Sequence, residues 1–125
     1  MTQNHSDIRT RFIFDDMPIR GMHIRLEKVW HHIVNQKHYP VAIRRALGEL
    51  LAAGSLLSAN LKNEGTLIVQ VQGQGRLKML VVEATSENTV RATARWDETA
   101  EIHDDESLTA LLGENSVFVL THQSK

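Results

Sequence analysis

The sequence predicts an α+β fold: a largely antiparallel sheet packed on a long buried helix, with a shorter helix beside it, in the order ββααβββαβ. Three observations predict this. Runs with period-two alternation lie near both ends, one long apolar run at helical spacing occupies the middle, and strands and helices are segregated instead of alternating. The 125 residues are one domain's worth of chain, so residues 1–125 are expected to form a single domain.

Each element has its own reason. Residues 11–16 (RFIFDD) and 19–28 (IRGMHIRLEK) read as a hairpin. In the second run Ile19, His23 and Arg25 take one parity and Met22, Ile24 and Leu26 the other, as in a half-buried strand. Between them Asp15-Asp16-Met17-Pro18 reads as a turn. From Val29 the texture becomes helical, with Val29, Trp30, Ile33 and Val34 on one side and Pro40 closing the segment.

Pro40 suits the first turn of the next helix, expected over residues 41–61. Its stripe is read as Ile43, Leu47, Leu50, Leu57 and Leu61, widened by Ala46, Ala53 and Leu56. LLAAGSLLSA carries no charge, which predicts cover on every side. Gly48 and Gly54 cost about 1 kcal/mol each in a helix and are expected where another backbone passes close. NLKNEG ends the helix at a glycine.

TLIVQVQG and RLKMLVVEA then read as two strands joined by Gly73-Gln74-Gly75, with TVRATARW (residues 89–96) as a third. The glycines are expected at positive φ in a tight hairpin. DETAEIHDDE is an acidic loop, SLTALL a short helix capped by Ser107 and stopped at Gly113, and SVFVLT a final strand.

Bulk properties exclude several classes. A hydrophobic share of 42% with 23% charged residues is that of a folded soluble protein. Fourteen Lys and Arg against fifteen Asp and Glu leave a formal charge of -1, so no overall field draws nucleic acid or an anionic membrane. The absence of Cys rules out disulfides, thiol nucleophiles and thiolate metal sites within these residues. The polar start MTQNHSDIRTR is not a secretory signal, and no apolar run nears the ~20 residues that span a bilayer. A cytoplasmic protein is the simplest reading.

The constellations that could carry chemistry fail on their context. VQGQGRLK lacks the third glycine and following helix of a dinucleotide site, and the Gly-Lys-Ser/Thr of a P-loop. Ser55 has no glycine two residues on to make a nucleophile elbow, and Lys62 follows Ser58 by four residues instead of three, so both serines are expected to bond helix carbonyls. His31, His32 and His38, and His23 beside Met22, show no metal-ligand spacing. Asp97, Glu98, Glu101, Asp104, Asp105 and Glu106 lack the calcium-loop pattern and read as a solvated face. Arg9, Arg11, Arg20, Arg25, Arg44 and Arg45, with only six aromatic residues in the chain, read as solvating charges. No catalytic, cofactor-binding or metal-binding residue emerges, and no nucleic-acid or membrane partner.

Three stretches in order, RFIFDDMPIRG, ALGELLAAGSLLSANLKNEGTLIVQVQGQGRLKMLVVEA and VRATAR, resemble the N-terminal part of the redox-regulated 33 kDa chaperonin family from about Arg9 onward. Arg20-Gly21 matches the family's early Arg-Gly pair, and Glu49-Leu50-Leu51 with Ser55-Leu56-Leu57 its long buried helix. Gly73-x-Gly75 matches its hairpin, while Arg91-Ala92 stands where members commonly have Arg-Gly.

The resemblance implies an ATP-independent, non-enzymatic holdase that binds unfolding proteins in oxidative stress. It implies a homodimer, with strand exchange as one route to it, but assigns no client-binding residue. Family members bind zinc through a C-terminal four-Cys module reached by a helical linker; both are absent from these residues, which therefore hold no redox switch. The chain is expected to be a fragment or a shortened relative. The alternatives are a standalone interaction or dimerisation module without client binding and, ranked last, a small-molecule enzyme on the same scaffold.

Overall fold

The computed structural model describes residues 7–61, 64–87 and 89–124. Lys62, together with residues 1–6 of the polar start, lies outside them. The order is β1 (Asp7–Ile13), β2 (Arg20–Leu26), α1 (Lys28–Val34), α2 (Val41–Ala59), β3 (Gly65–Gln72), β4 (Leu77–Thr85), β5 (Val90–Trp96), α3 (Leu108–Leu112) and β6 (Val117–Ser124). This is the expected α+β order.

Strands β1 and β2 form a separate antiparallel hairpin, in register from Asp7 opposite Leu26 to Ile13 opposite Arg20. The other strands make an antiparallel sheet in the order β5-β4-β3-β6. Three hairpin-connected strands with a fourth returning beside the first form a Greek key. The return passes through residues 97–116 and α3, whose Leu112 carbonyl accepts from the backbone N–H groups of Gln74 and Gly75 at 3.0 and 2.8 Å.

Alternation decides what the sheet buries. Leu67, Val69 and Val71 of β3 and Leu80, Val82 and Ala84 of β4 point to one face and are buried there. Helix α2 lies on that face, against β4, β3 and β5, and contributes Ile43, Ala46, Leu47 and Leu51 to the core. The helix is not covered on every side, however: Leu57 and Ala53 are exposed. The buried stripe runs instead through Leu47, Leu51, Gly54, Ser55 and Ser58, because the sheet lies on one side only. Gly54 makes room for the Val82 side chain and Gly48 for the Trp30 ring, not for another backbone.

The hairpin is fastened to this body by polar contacts. The Asp7 carboxylate accepts from the N–H groups of Glu27, Lys28 and Val29 at 2.8, 2.9 and 3.2 Å. It thereby serves as the missing cap of α1, whose own flanking residue Glu27 makes no side-chain cap. Arg11 donates to the Ala59 carbonyl at 2.7 Å, a cation at the negative end of α2.

The Gly73-Gln74-Gly75 turn closes a hairpin as expected, with Gly73 N–H donating to the Lys78 carbonyl at 2.9 Å. The reason for the glycines differs from the expectation. Positive φ occurs at Gly65 and Gly113, not at Gly73 or Gly75. What excludes a side chain is α3: a Cβ on Gly73 would lie 2.7 Å from the Leu112 carbonyl oxygen, and one on Gly75 would collide with that of Leu111.

Candidate functional site

The side chains singled out as possible chemistry are dispersed. His32 pairs only with Gln36, at 3.1 Å, and His23, His31 and His38 are exposed. Among the described residues no group of three or more His, Cys, Asp or Glu is placed to hold a metal ion. The four-Cys zinc module that the resemblance implies has no counterpart in these residues, which contain no Cys. Ser58 bonds a helix carbonyl as expected, donating to Ser55 O at 3.0 Å. Ser55 does not: its hydroxyl is buried without a partner.

The acidic stretch is more than a solvated face, because arginines tie it to the turn before β4 and to α2. Arg76 donates to Glu106 at 2.7 Å and to the Glu101 carbonyl at 2.9 Å, and the Glu106 side chain is only 16% exposed. Arg45 donates to the Asp104 carbonyl at 2.5 Å. At the start of the loop, hydrogen bonds from the Thr99 hydroxyl and N–H hold the Asp97 carboxyl below its ordinary value of 3.8. These arginines are structural ties, spread over separate elements, and form no basic tract.

What remains is apolar surface. β6 pairs with β3 so that Phe118 stands opposite Val71 and Leu120 opposite Val69. Alternation therefore places both on the face that α2 covers elsewhere. They are nevertheless 60% and 51% exposed. The cause is width. Four strands at ~4.8 Å spacing span about 14 Å between the outer axes, whereas a helix with its side chains is ~10 Å across. A helix seated over β4 and β3 cannot also roof β6.

β6 also has a free edge. In the sheet order it stands outermost, with β3 on one side and no strand among the described residues on the other. Exposed edges are usually blunted with charge, proline or a bulge; VFVLTHQS contains no Lys, Arg, Asp, Glu or Pro, and its pairing with β3 is continuous. A second apolar group sits at the hairpin tip, where Phe12, Ile13, Phe14, Met17 and Ile19 are exposed. There the Phe12 ring lies over Gly21 and 6.2 Å from that of Phe14. Sequence reading identified both strands but not their exposure, which depends on how far α2 reaches.

Comparison with known proteins gives these surfaces a context. The family model described as Hsp33 protein matches residues 7–125. A 33 kDa chaperonin of Neisseria meningitidis serogroup A is 81% identical over 122 residues, covering 98% of this chain and 40% of that protein. A 33 kDa chaperonin of Chromobacterium violaceum is 47% identical over 97% of this chain, and one of Vibrio vulnificus 33% identical over 96%, again 40% of each relative. The chain thus spans about two fifths of the length of the curated relatives it matches. With the family match running through every described element, the chain belongs to the Hsp33 protein family.

Proposed function

We propose that this chain is the N-terminal core of a non-enzymatic, ATP-independent chaperone that captures unfolding proteins on apolar surface and keeps them from aggregating. One observation carries the reading: Phe118 and Leu120 continue the core beyond the reach of α2 and stand open to water. An unfolding client exposes the same two features that β6 offers, apolar side chains and unpaired backbone. Their association removes both from water. Because hydrophobic association is non-directional, clients of unrelated sequence suit it equally. ATP independence is supported by the glycine loop, whose N–H groups are already bonded, those of Gln74 and Gly75 to the Leu112 carbonyl and that of Gly73 to the Lys78 carbonyl, leaving no phosphate cradle there. With no Cys present, these residues carry no thiol of their own to gate capture.

The same free edge favours a second partner, another copy of the chain. Two β6 strands pairing antiparallel about a two-fold axis make a self-complementary interface, and a homodimer, with strand exchange as one route, shields Phe118 and Leu120 until a client competes for them. A module that only dimerises is the rival reading. Light scattering of a chemically unfolded client diluted into buffer without ATP separates the two. The chaperone reading expects suppression at stoichiometric chain and its loss in the Phe118→Ser/Leu120→Ser variant. A chain that sediments as a stable dimer and leaves scattering unchanged is a dimerisation module.

A further inference from the structure

We propose that the cavity between the β1–β2 hairpin and α2 binds a small hydroxylated carboxylate with an apolar body. The cavity holds about 340 Å³, at the lower end of the ~300–1,000 Å³ typical of small-molecule sites. Ile24, Leu26, Val29 and Val90 supply apolar walls. Ser55, only 5% exposed, forms the floor, and its Oγ has no hydrogen-bond partner.

That serine is unusual for its place. A helical serine ordinarily satisfies its hydroxyl on a carbonyl about one turn back, as Ser58 does at 3.0 Å. Ser55 leaves its donor and acceptor capacity unused. Ser58 also lines the cavity, and with its proton committed to the Ser55 carbonyl its oxygen remains an acceptor. Together the two serines suit one ligand group that both accepts and donates, which is a hydroxyl.

The mouth decides the charge. Asp7 and Arg9 of β1 both line it, but the Asp7 oxygens already accept from the N–H groups of Glu27, Lys28 and Val29. Arg9 is exposed and has no ion pair or hydrogen bond among the described residues. Its guanidinium is therefore the group left to meet an anion, for which a carboxylate has the matching fork. Anion at the mouth, apolar body between the walls and hydroxyl at the floor define the ligand class.

The test uses the 125-residue chain with labelled methyl groups and two probes, para-hydroxyphenylpropanoate and phenylpropanoate. The hydroxylated probe is expected to shift the Ile24, Val29 and Val90 methyl signals saturably and to bind about tenfold tighter than the other, the worth of one buried hydrogen-bonded pair. Ser55→Ala should erase that difference while leaving the ligand-free melting temperature unchanged or raised, because an unpaired buried hydroxyl is removed. Arg9→Gln should weaken both probes by about fivefold or more. The proposal is overturned by the absence of saturable shifts, by equal binding of the two probes, or by a Ser55→Ala variant that still distinguishes them. Client capture on β6 is read by light scattering and is unaffected by either result.

Discussion

The two edges of the four-stranded sheet differ in cover, and the cover runs against their hydrophobicity. At the β5 edge the inward residues are Ala92 and Ala94, small side chains that are nonetheless buried. Helix α1 and the segment after it stand beside them: Ile33 and Tyr39 share their core cluster, the Tyr39 ring lies 5.4 Å from that of Trp96, and Lys37 donates to Thr93 Oγ1 at 3.2 Å. At the β6 edge the inward residues are Phe118 and Leu120, far larger and mostly exposed. The arrangement is the reverse of what side-chain apolarity alone would choose. Burial in this sheet is set by how far α1 and α2 reach, and among the described residues the β6 edge is left uncovered.

The comparison breaks most sharply at equivalent leucines. Leu80, fully buried on β4, should cost about 2–5 kcal/mol as Leu80→Ala, since the cavity adds to the lost transfer energy. Leu120→Ala on β6 should change stability by less than ~0.5 kcal/mol in the same urea titration. A Leu120 effect equal to that of Leu80 would mean that β6 is covered in solution, and its dependence on concentration would tell whether a second copy provides the cover.

Gly75→Val comes next, at about 1–3 kcal/mol, because the new side chain meets the Leu111 carbonyl and must push α3 from the β3–β4 turn. The loss should appear as a lower melting temperature, together with faster amide exchange at Gln74 and residue 75, whose N–H groups reach Leu112 O. Tyr39→Phe on the covered side works in the opposite direction. The Tyr39 hydroxyl is buried without a partner, so its removal keeps the ring against Trp96 and should stabilise by up to ~1 kcal/mol. A destabilised Tyr39→Phe chain would reveal a hydrogen bond at that hydroxyl.

Much of the fold was legible because it is local. Alternation in TLIVQVQ and RLKMLVVEA, the cap Ser107 with its acceptor bond from Ala110 N–H at 3.2 Å, and Pro40 before α2 each report on their own neighbours in sequence. What escaped is non-local. β1 begins at Asp7, earlier than the apolar pattern suggests, because its pairing starts opposite Leu26, and the Asp7 carboxylate caps a helix twenty-odd residues on. The glycines mark the turn in the right place but for a different reason, since α3 arrives from some forty residues downstream. The bare inner face of β6 and the unpartnered Ser55 hydroxyl both depend on what other elements fail to reach, which no spacing along the chain encodes.

The smallest expected effect contrasts the two edges by their response to acid. Asp97 follows the last residue of β5 and ties the acidic loop to the sheet through its N–H, which donates to the Arg76 carbonyl at 2.8 Å. Its carboxylate accepts from the Thr99 hydroxyl at 2.6 Å and from the Thr99 N–H at 3.0 Å, and these bonds lower its pKa below 3.8. A carboxyl whose folded pKa is depressed stabilises the fold above its unfolded value and loses that contribution as pH falls through the folded one. Asp97→Asn should therefore melt slightly below the unsubstituted chain at neutral pH, and the gap should close below a pH of about 4. Because the group lies in water the gap is small, and amide exchange at Thr99 is the more sensitive measure. β6 contains no carboxylate, so its own amides should show no local step in exchange over the carboxylate range. A gap that persists unchanged in acid would show that the Asp97→Asn substitution disturbs packing, and that titration of Asp97 contributes nothing to the β5 side.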